Sequence, residues 1–373
     1  MNIVFGHQIF ALQSYGGISR YFVRLAQGLL ALGEQIDVVA PIHRNRYLKD
    51  LPSALVHGLE FERFFPKTAR VVMLANHLLS KRKLAHIAAD ILHDTYYSAA
   101  PLTPTPKGRV ITVYDMIHEK YPANFSSRDL TTKYKRFAVA RADHVICISH
   151  STKNDLCEMF DVSEHKISVV HLGFEKFEVH LNGSMLSKNK ARPFLLYVGS
   201  RGKYKNFERM LRAVALSPAL KNNFDVVAFG GGVFCTAEHA LISKLGFSPG
   251  AVRQVGGGDA VLGSLYSQAI AFVYPSIYEG FGLPPLEAMA HDCPVVTSNS
   301  SSMPEVVGDA GAYFAPFDIE AQAQAIAGVV FDTQRRNTLI AAGRQRLALF
   351  SWERCARETQ AVYQKVLAAK ENA

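Results

Sequence analysis

The feature that most constrains the fold is an alternation of short apolar runs, rich in β-branched residues, with segments of helical periodicity, repeated in two sets. Such short runs are typical of buried strands, and strands that alternate with helices form βαβ units around a parallel sheet. The strands predicted in the first set are residues 2–5, 36–40, 91–93, 110–114, 144–148 and 167–171. Those predicted in the second set are residues 194–198, 225–229, 252–255, 270–274 and 294–297.

A polar stretch separates the two sets. Residues 175–193 are rich in Lys, Asn, Gly and Ser, which is the composition of a linker or exposed loop. We therefore predict an α/β protein with two Rossmann-like domains, spanning residues 1–180 and 181–350. An amphipathic segment follows Ser351, a residue that can cap a helix, and we expect the C-terminal helix of residues 351–373 to pack back on the N-terminal domain.

Composition excludes several classes of protein. The net charge of +9 is divided almost evenly along the 373 residues and accompanies no nucleic-acid recognition motif, so we expect no nucleic-acid partner. The five cysteines are widely spaced and form no C-x-x-C pair, which favours a reducing compartment over a disulfide framework or a zinc site. No run of about 20 apolar residues occurs, and the N-terminus reads as a first strand rather than a signal peptide.

Two loops that follow predicted strands could contact phosphate, since ligands of open α/β sheets bind at the carboxyl ends of strands. Gly16 and Gly17 open a helix and would let a phosphate approach its backbone amides, although a simple tight turn is an equally good interpretation. The loop is not the G-x-G-x-x-G fingerprint, which weighs against a dehydrogenase. The first strand of the second set is followed by three cations that could neutralise a diphosphate: Arg201, Lys203 and Lys205.

Two further strand ends carry acidic groups. Asp115 and His118 place a carboxylate and an imidazole at one strand end; a lone histidine is more often structural, but this position favours function. Glu279 and Glu287 are separated by seven residues on a glycine-containing loop that leads into a helix. Carboxylates accept hydrogen bonds from sugar hydroxyls, and a helix N-terminus attracts an anion. The alternative interpretation of this segment is a helix cap with a solvated charge, but it would not explain the presence of the glycines and of both glutamates.

In these motifs the chain resembles the family-four retaining glycosyltransferases of the GT-B fold, a nucleotide-sugar group that includes mannosyltransferases. The spacing of Glu279 and Glu287 is similar to the Glu-x7-Glu motif of that family. Other matches occur in order at residues 16–17, 115–118, 149–151, 199–206, 262–269, 271–275, 294–296, 304–307 and 310–311. Residues 8–22 are most similar to members that build bacterial surface polysaccharides. The resemblance implies two Rossmann-like domains facing across a cleft, with the acceptor on the N-terminal side.

The resemblance also implies roles for individual residues. Glu287 would hold the ribose hydroxyls of the nucleotide, and Glu279 would meet hydroxyls of the donor sugar. His118 would lie beside the transferred sugar, in a pocket shaped by Asp115. The diphosphate would be contacted by Arg201, Lys205, the Gly16-Gly17 loop and the amides of Phe281, Gly282 and Leu283. Whether Arg201 or Lys203 takes the arginine role of the family stays open.

The implied reaction is transfer of a hexosyl group, with mannosyl as one candidate, from a nucleotide-diphosphate sugar to a saccharide or lipid-linked acceptor. It would proceed with retention of anomeric configuration and serve polysaccharide or lipopolysaccharide biosynthesis. Fixed cations and helix amides would stabilise the leaving diphosphate, which would itself take the acceptor's proton. No Asp-x-Asp motif follows a strand, so we expect no cofactor and no metal. Two alternatives stay open: a nucleotide-sugar epimerase of the same two-domain plan, and a catalytically silent nucleotide-sugar-binding protein.

One basic segment could contact a membrane. Residues 69–89 contain Arg70, Lys81, Arg82 and Lys83, interleaved with apolar residues and without any acid. At helical spacing this gives an apolar stripe flanked by cations, which suits anionic lipid, although a core helix with a basic end is the competing interpretation. Relatives that build polysaccharides often act on lipid-linked acceptors. We therefore expect a cytoplasmic protein that attaches peripherally to the inner face of the cell membrane.

Overall fold

The computed structural model describes residues 1–61, 68–102, 106–179 and 192–372, without the side chains of Ala69 and Arg70. The chain separates into two compact units, one formed by Met1–Gly173 with Ser351–Ala373 and the other by Phe174–Phe350. The predicted boundary between residues 180 and 181 lies outside the described residues.

The first unit is built on a parallel sheet. Its strands are β1 Asn2–Phe5, β2 Gln35–His43, β3 Val56–Glu60, β4 Ile91–Asp94, β5 Gly108–Val113, β6 His144–Cys147 and β7 Ile167–Val169. Its first helices are α1 Gln8–Leu12, α2 Gly17–Ala31, α3 Ala69–Leu84, α4 Ile117–Lys120, α5 Thr131–Arg141 and α6 His150–Phe160. Within the described residues the strand order is β3-β2-β1-β4-β5-β6-β7, with every pairing parallel.

The second unit repeats this plan. Its strands are β8 Phe194–Val198, β9 Asp225–Phe229, β10 Val252–Val255, β11 Ala271–Tyr274, β12 Val295–Ser298 and β13 Gly311–Phe314. Its helices are α7 Phe207–Leu216, α8 Pro218–Asn223, α9 Thr236–Lys244, α10 Asp259–Gln268, α11 Leu283–Ala290, α12 Met303–Val307, α13 Ile319–Val330 and α14 Thr333–Leu347. The described strands run in the order β10-β9-β8-β11-β12-β13, again all parallel.

Both sheets have the doubly wound order of a Rossmann fold, so the predicted α/β class with two Rossmann-like domains is confirmed. In such sheets a ligand binds where the strand order reverses, beyond the carboxyl ends of the strands. That point lies between β1 and β4 in the first unit and between β8 and β11 in the second. The residues that follow these strands are therefore placed to form sites.

Two strands escaped the sequence prediction, and both are at sheet edges. Strand β3 has no fully buried residue and contains Gly58, while β13 is half-buried and begins with Gly311. An edge strand can bury less surface than an interior one, so its sequence can lack the continuous apolar run that reveals β8, all of whose residues are buried. The other two edge strands, β7 and β10, were predicted.

A last helix, α15 Trp352–Glu371, completes the first unit by packing against α2 and β5. The side chain of Ser351 accepts a hydrogen bond from the N–H of Arg354, as expected of a cap. Glycine allows α15 to come close, because a Cβ added at Gly28 would lie 2.6 Å from the Cβ of Ala356.

Candidate active site

A cation and a carboxylate meet at the reversal point of the second sheet. Lys205 follows β8, Glu279 follows β11, and the Lys205 Nζ donates a hydrogen bond of 2.7 Å to the Glu279 Oε1. Their side chains are only 16% and 13% exposed, so the pair is largely shielded from water. Asn206 joins the two loops by donating from Nδ2 to the carbonyl oxygen of Pro275 at 3.0 Å. Two residues singled out separately in the sequence thus form one charged pair.

A run of serines after β12 holds the Glu279 loop in place, and sequence reasoning missed it. The Ser302 hydroxyl lies 2.9 Å from the carbonyl oxygen of Glu279 and 2.7 Å from that of Phe281, and its one hydrogen is shared between these two acceptors. Ser300 donates to the carbonyl of Ile277, and the Ser301 hydroxyl accepts from the N–H of Glu279. The signal was the polar stretch of residues 298–302 at a strand end, where a loop needs partners for its backbone groups.

The Glu279 loop leads directly into α11. Gly282 has a φ of +107°, a backbone conformation that favours glycine, and a Cβ there would lie 2.4 Å from the Cε of Met303. Leu283 begins the helix, and because Pro284 and Pro285 carry no N–H, the Leu283 amide is the donor of that first turn, without a carbonyl partner within the helix. The predicted anion contacts of Phe281, Gly282 and Leu283 thus fall at a helix N-terminus.

Glu287 lies one turn into α11, 8% exposed. The hydroxyl of Tyr266, on α10, donates to its Oε2 at 3.3 Å. Burial and then the nearby charge of Glu287 raise the pKa of Tyr266 well above its usual range, so the phenol stays protonated and continues to donate. Tyr266 therefore orients the carboxylate to which the family resemblance gives the ribose role.

Arg201 is held by the protein itself. Its Nε donates to the Glu238 Oε1 at 2.5 Å, while its terminal nitrogens donate to the carbonyl oxygens of Gly230 and Gly232, both at 2.9 Å. The Arg201 side chain is 6% exposed. Lys203 lies exposed on the same loop. The structure thus brings Lys205, but not Arg201, to Glu279, and a diphosphate role for Arg201 stays a prediction.

In the first unit, the Gly16-Gly17 loop opens α2 after β1 and the short α1. The Gln13 side-chain oxygen accepts from the N–H of Ser19, and the Ser19 hydroxyl donates to the carbonyl of Gly16 at 3.1 Å. A Cβ at Gly16 would lie 2.3 Å from the same Gln13 oxygen. A side chain at Gly16 would therefore displace the Gln13 amide that accepts from Ser19, at the turn that presents the N-terminus of a 15-residue helix.

Asp115 and His118 follow β5. Asp115 lies just before α4, and His118 lies within it. The Asp115 Oδ1 accepts from the N–H of Ile117 at 3.1 Å, which closes a tight turn before the helix. The His118 ring stacks on Phe125 with centroids 3.8 Å apart, and its Nε2 lies 3.7 Å from the Oδ2 of Asp129. His118 is thus an oriented, largely shielded imidazole, 18% exposed.

Comparison with known proteins assigns the family. Residues 15–176 match the family described as Glycosyltransferase Family 4, and residues 184–346 match Glycosyl transferases group 1. The chain belongs to the family-four glycosyltransferases. The expected enzyme class is thereby confirmed, and the epimerase alternative gains no support.

Several known proteins are similar to this glycosyltransferase over most of its length. O-antigen chain mannosyltransferase B of Escherichia coli is 27% identical over 93% of this chain and 95% of its own length. O-antigen chain mannosyltransferase RfbU of Salmonella typhimurium is 25% identical over 84% of this chain and 87% of its own. The structure of sucrose-phosphate synthase from Thermosynechococcus elongatus shares the fold, with a TM-score of 0.78, 22% identity and 99% coverage of both chains.

Proposed function

We propose that this glycosyltransferase moves a hexosyl group, and specifically mannose, from a nucleotide-diphosphate sugar to a saccharide acceptor in bacterial surface polysaccharide synthesis. The names of the two O-antigen mannosyltransferase relatives support the sugar and the pathway class. The observation that carries the site assignment is the shielded pair of Lys205 and Glu279 at the reversal point of the second sheet.

The proposed roles follow from charge and position. Lys205 and the N-terminus of α11 offset the charge that develops on the leaving diphosphate, and such preorganised groups act without a divalent ion. Glu287, already oriented by Tyr266, accepts hydrogen bonds from the ribose hydroxyls. His118 contacts the transferred sugar, and the departing phosphate takes the proton of the acceptor hydroxyl. Configuration at the anomeric carbon is retained.

The test is a transfer assay with UDP-, GDP- and ADP-sugars and a mannose-containing oligosaccharide acceptor, read by NMR of the new anomeric proton. We expect one mannose donor to be used and an α-configured donor to give an α-linked product. Release of free sugar alone, or inversion, would contradict the proposal.

Glu287→Ala provides the matching binding experiment. A hydrogen bond to a charged group contributes about 1.5–3 kcal/mol, so affinity for the free nucleoside diphosphate should fall by about tenfold to a hundredfold. Glu320→Ala, which removes an exposed glutamate of the same unit, is the control. Equal affinities of both variants, measured by calorimetry, would rule out the ribose assignment.

We also propose that helix α3 docks this enzyme peripherally on an anionic membrane. No helix among the described residues combines the length and apolarity needed to span a bilayer. Helix α3 instead exposes its apolar side chains: Val71 is 67% exposed, Leu74 61% and Leu78 59%. Exposed apolar residues that form a contiguous stripe mark an interaction surface.

Two of the described buried residues of α3 are polar, and the third, Leu84, packs in the core at the C-terminal end of the helix. Asn76 is fully buried and exchanges two hydrogen bonds of 2.8 Å with the backbone of Ile42. Ser80 is also buried and is hydrogen-bonded to the Nδ1 of His7 at 3.0 Å. The competing interpretation, a core helix with a basic end, fits Leu84, but it does not account for the exposed Val71, Leu74 and Leu78.

The charge at the end of α3 complements an anionic surface. Three exposed cations occupy its last turn: Lys81, Arg82 and Lys83. Each basic residue near such a surface contributes about 1 kcal/mol, so changing all three to Ser should weaken binding to anionic vesicles by about a hundredfold at low salt. Free cysteines throughout the described chain support the cytoplasmic face as the side of attachment.

Liposome co-sedimentation tests the proposal with anionic and neutral vesicles at two salt concentrations. Leu74→Gln with Leu78→Gln should also weaken binding, whereas Leu216→Gln, which changes an exposed leucine of the second unit, should not. Salt-insensitive binding, equal for all variants, would contradict membrane docking by α3.

A further inference from the structure

A lysine with no contact to solvent lies directly behind the turn that carries Asp115 and His118. Lys135, on α5, has a side chain that is 0% exposed. Lysine is almost never fully buried unless it is paired, because removing an ammonium ion from water is costly. The partners of this ammonium group therefore show why the fold keeps it.

The ammonium group of Lys135 contacts the turn on both sides of His118. Its Nζ donates to the backbone oxygen of Asp115 at 2.8 Å and to the Oε2 of Glu119 at 2.7 Å. It also lies 3.9 Å from the Oδ1 of Asp115 and 5.3 Å from the centre of the Tyr97 ring. Lys135 thus joins Asp115, which follows β5, to Glu119, the residue after His118.

This arrangement fixes a segment that is too short to fix itself. Helix α4 spans only Ile117–Lys120, and a single turn of helix is not stable alone. The side chain of Glu119 is 3% exposed, so its carboxylate also depends on Lys135 for a counter-charge. Without the ammonium group, Asp115 and Glu119 would both lose their contact with Lys135 of α5.

We propose that Lys135 is a positioning residue for the glycosyl transfer, holding the turn of residues 115–119 so that His118 meets the donor sugar in a reactive orientation. The inference deepens the proposed function, because it rests on the role given there to His118. Lys135 does not touch substrate; its effect passes through the turn. Displacement of a reacting group by about 1 Å can lower turnover by about a hundredfold.

The first experiment replaces Lys135 by Met, which keeps the length and apolar volume of the side chain. With the donor and acceptor that the transfer assay selects, we expect kcat to fall by about a hundredfold. The affinity for the free nucleoside diphosphate should change by less than about twofold, since Lys205 and Glu287 are untouched. Lys133→Met, two residues away on the exposed face of α5, should retain full turnover.

The second experiment asks whether the loss passes through His118. In a His118→Ala background, Lys135→Met should lower kcat by less than about threefold, because residues that act as a unit are not additive. A further hundredfold loss in that background, or normal turnover of Lys135→Met alone, would overturn the inference. Normal turnover of His118→Ala would instead show that the proposed role of His118 is wrong.

Circular dichroism and thermal unfolding establish that the variants are folded. If Lys135→Met does not fold, Glu119→Gln becomes the deciding variant, because it keeps the ammonium group and its contact with Asp115 while removing the counter-charge. We then expect about a tenfold lower kcat with unchanged diphosphate affinity. A normal kcat for folded Glu119→Gln would overturn the inference.

Discussion

Replacing Arg201 by alanine should destabilise the second unit more than it weakens nucleotide binding. The guanidinium group is 6% exposed and bonds to Glu238 and to the carbonyl oxygens of the Gly230–Gly232 turn. Although burial alone would raise the pKa of Glu238, hydrogen bonds from Arg201 and from the N–H of Cys235 lower it. The carboxylate therefore depends on this arginine.

The magnitude follows from how much of the pair is shielded. Removing one partner of a fully buried ion pair costs about 3–5 kcal/mol. Glu238 keeps 20% of its side chain in contact with solvent, so part of that cost is recovered by hydration, which leaves about 2–3 kcal/mol. For a unit of this size each kcal/mol lowers Tm by roughly 2–4 °C, so we expect a decrease of about 4–12 °C.

Scanning calorimetry gives the Tm, and titration calorimetry gives the affinity for nucleoside diphosphate. Lys203→Ala, which removes an exposed cation from the same loop, should leave Tm unchanged. The destabilisation by Arg201→Ala should shrink as the pH falls below about 4.5, because protonation of Glu238 removes the charge that the arginine pairs with. An unchanged Tm with a tenfold loss of affinity would refute this reasoning and establish Arg201 as a diphosphate ligand.

Three further predictions concern packing, pH and metal. Gly28→Val should lower the free energy of unfolding by about 1–3 kcal/mol, measured by urea unfolding, because the valine side chain would overlap Ala356 on α15. Gly258→Ala is the control, because Gly258 has open space around it and the free energy of unfolding should not fall. Burial lowers the pKa of His93 to about 3, so the folded chain cannot take up the proton that the unfolded chain binds below about pH 6.5. The contribution of His93 to stability should be full above that pH and fall by about 1.4 kcal/mol per pH unit below it, and His93→Gln but not His165→Gln should remove this part of the slope. Transfer activity should persist in excess EDTA; its loss and recovery with magnesium or manganese would contradict metal independence.

Interior strands and strand-end motifs were predictable because burial and ligand chemistry leave a local pattern. Strand β8 reads as a continuous apolar run, and Glu279 with Glu287 has a recognisable spacing. Strand β3 could not be predicted, since His57, Gly58 and Glu60 interrupt any apolar run, whereas the edge strands β7 and β10 were predicted.

Long-range electrostatic partners also escaped prediction. Lys135 occurs among other charged residues of α5, and its sequence neighbourhood is that of an exposed helix face; only the tertiary fold surrounds it with Asp115 and Glu119. Arg201 shows the same limit, because the loop after β8 does not reveal that Glu238 lies within reach. The serines after β12 could be predicted to lie in a loop, but the carbonyl oxygens that accept their hydrogen bonds could not be predicted.

Helix α15 has a consequence for biosynthesis. It joins the first unit only after residues 174–350 have been made, so the second unit, continuous in sequence, can fold while the first is still incomplete on the ribosome. Contacts such as Gln360 with Glu34 span 326 residues, and His93 with Tyr363 spans 270. Closing such long intervals is slow. During synthesis there should therefore be a stage in which α15 has not yet been made, and the surface around Gly28 that it later covers is accessible to chaperones.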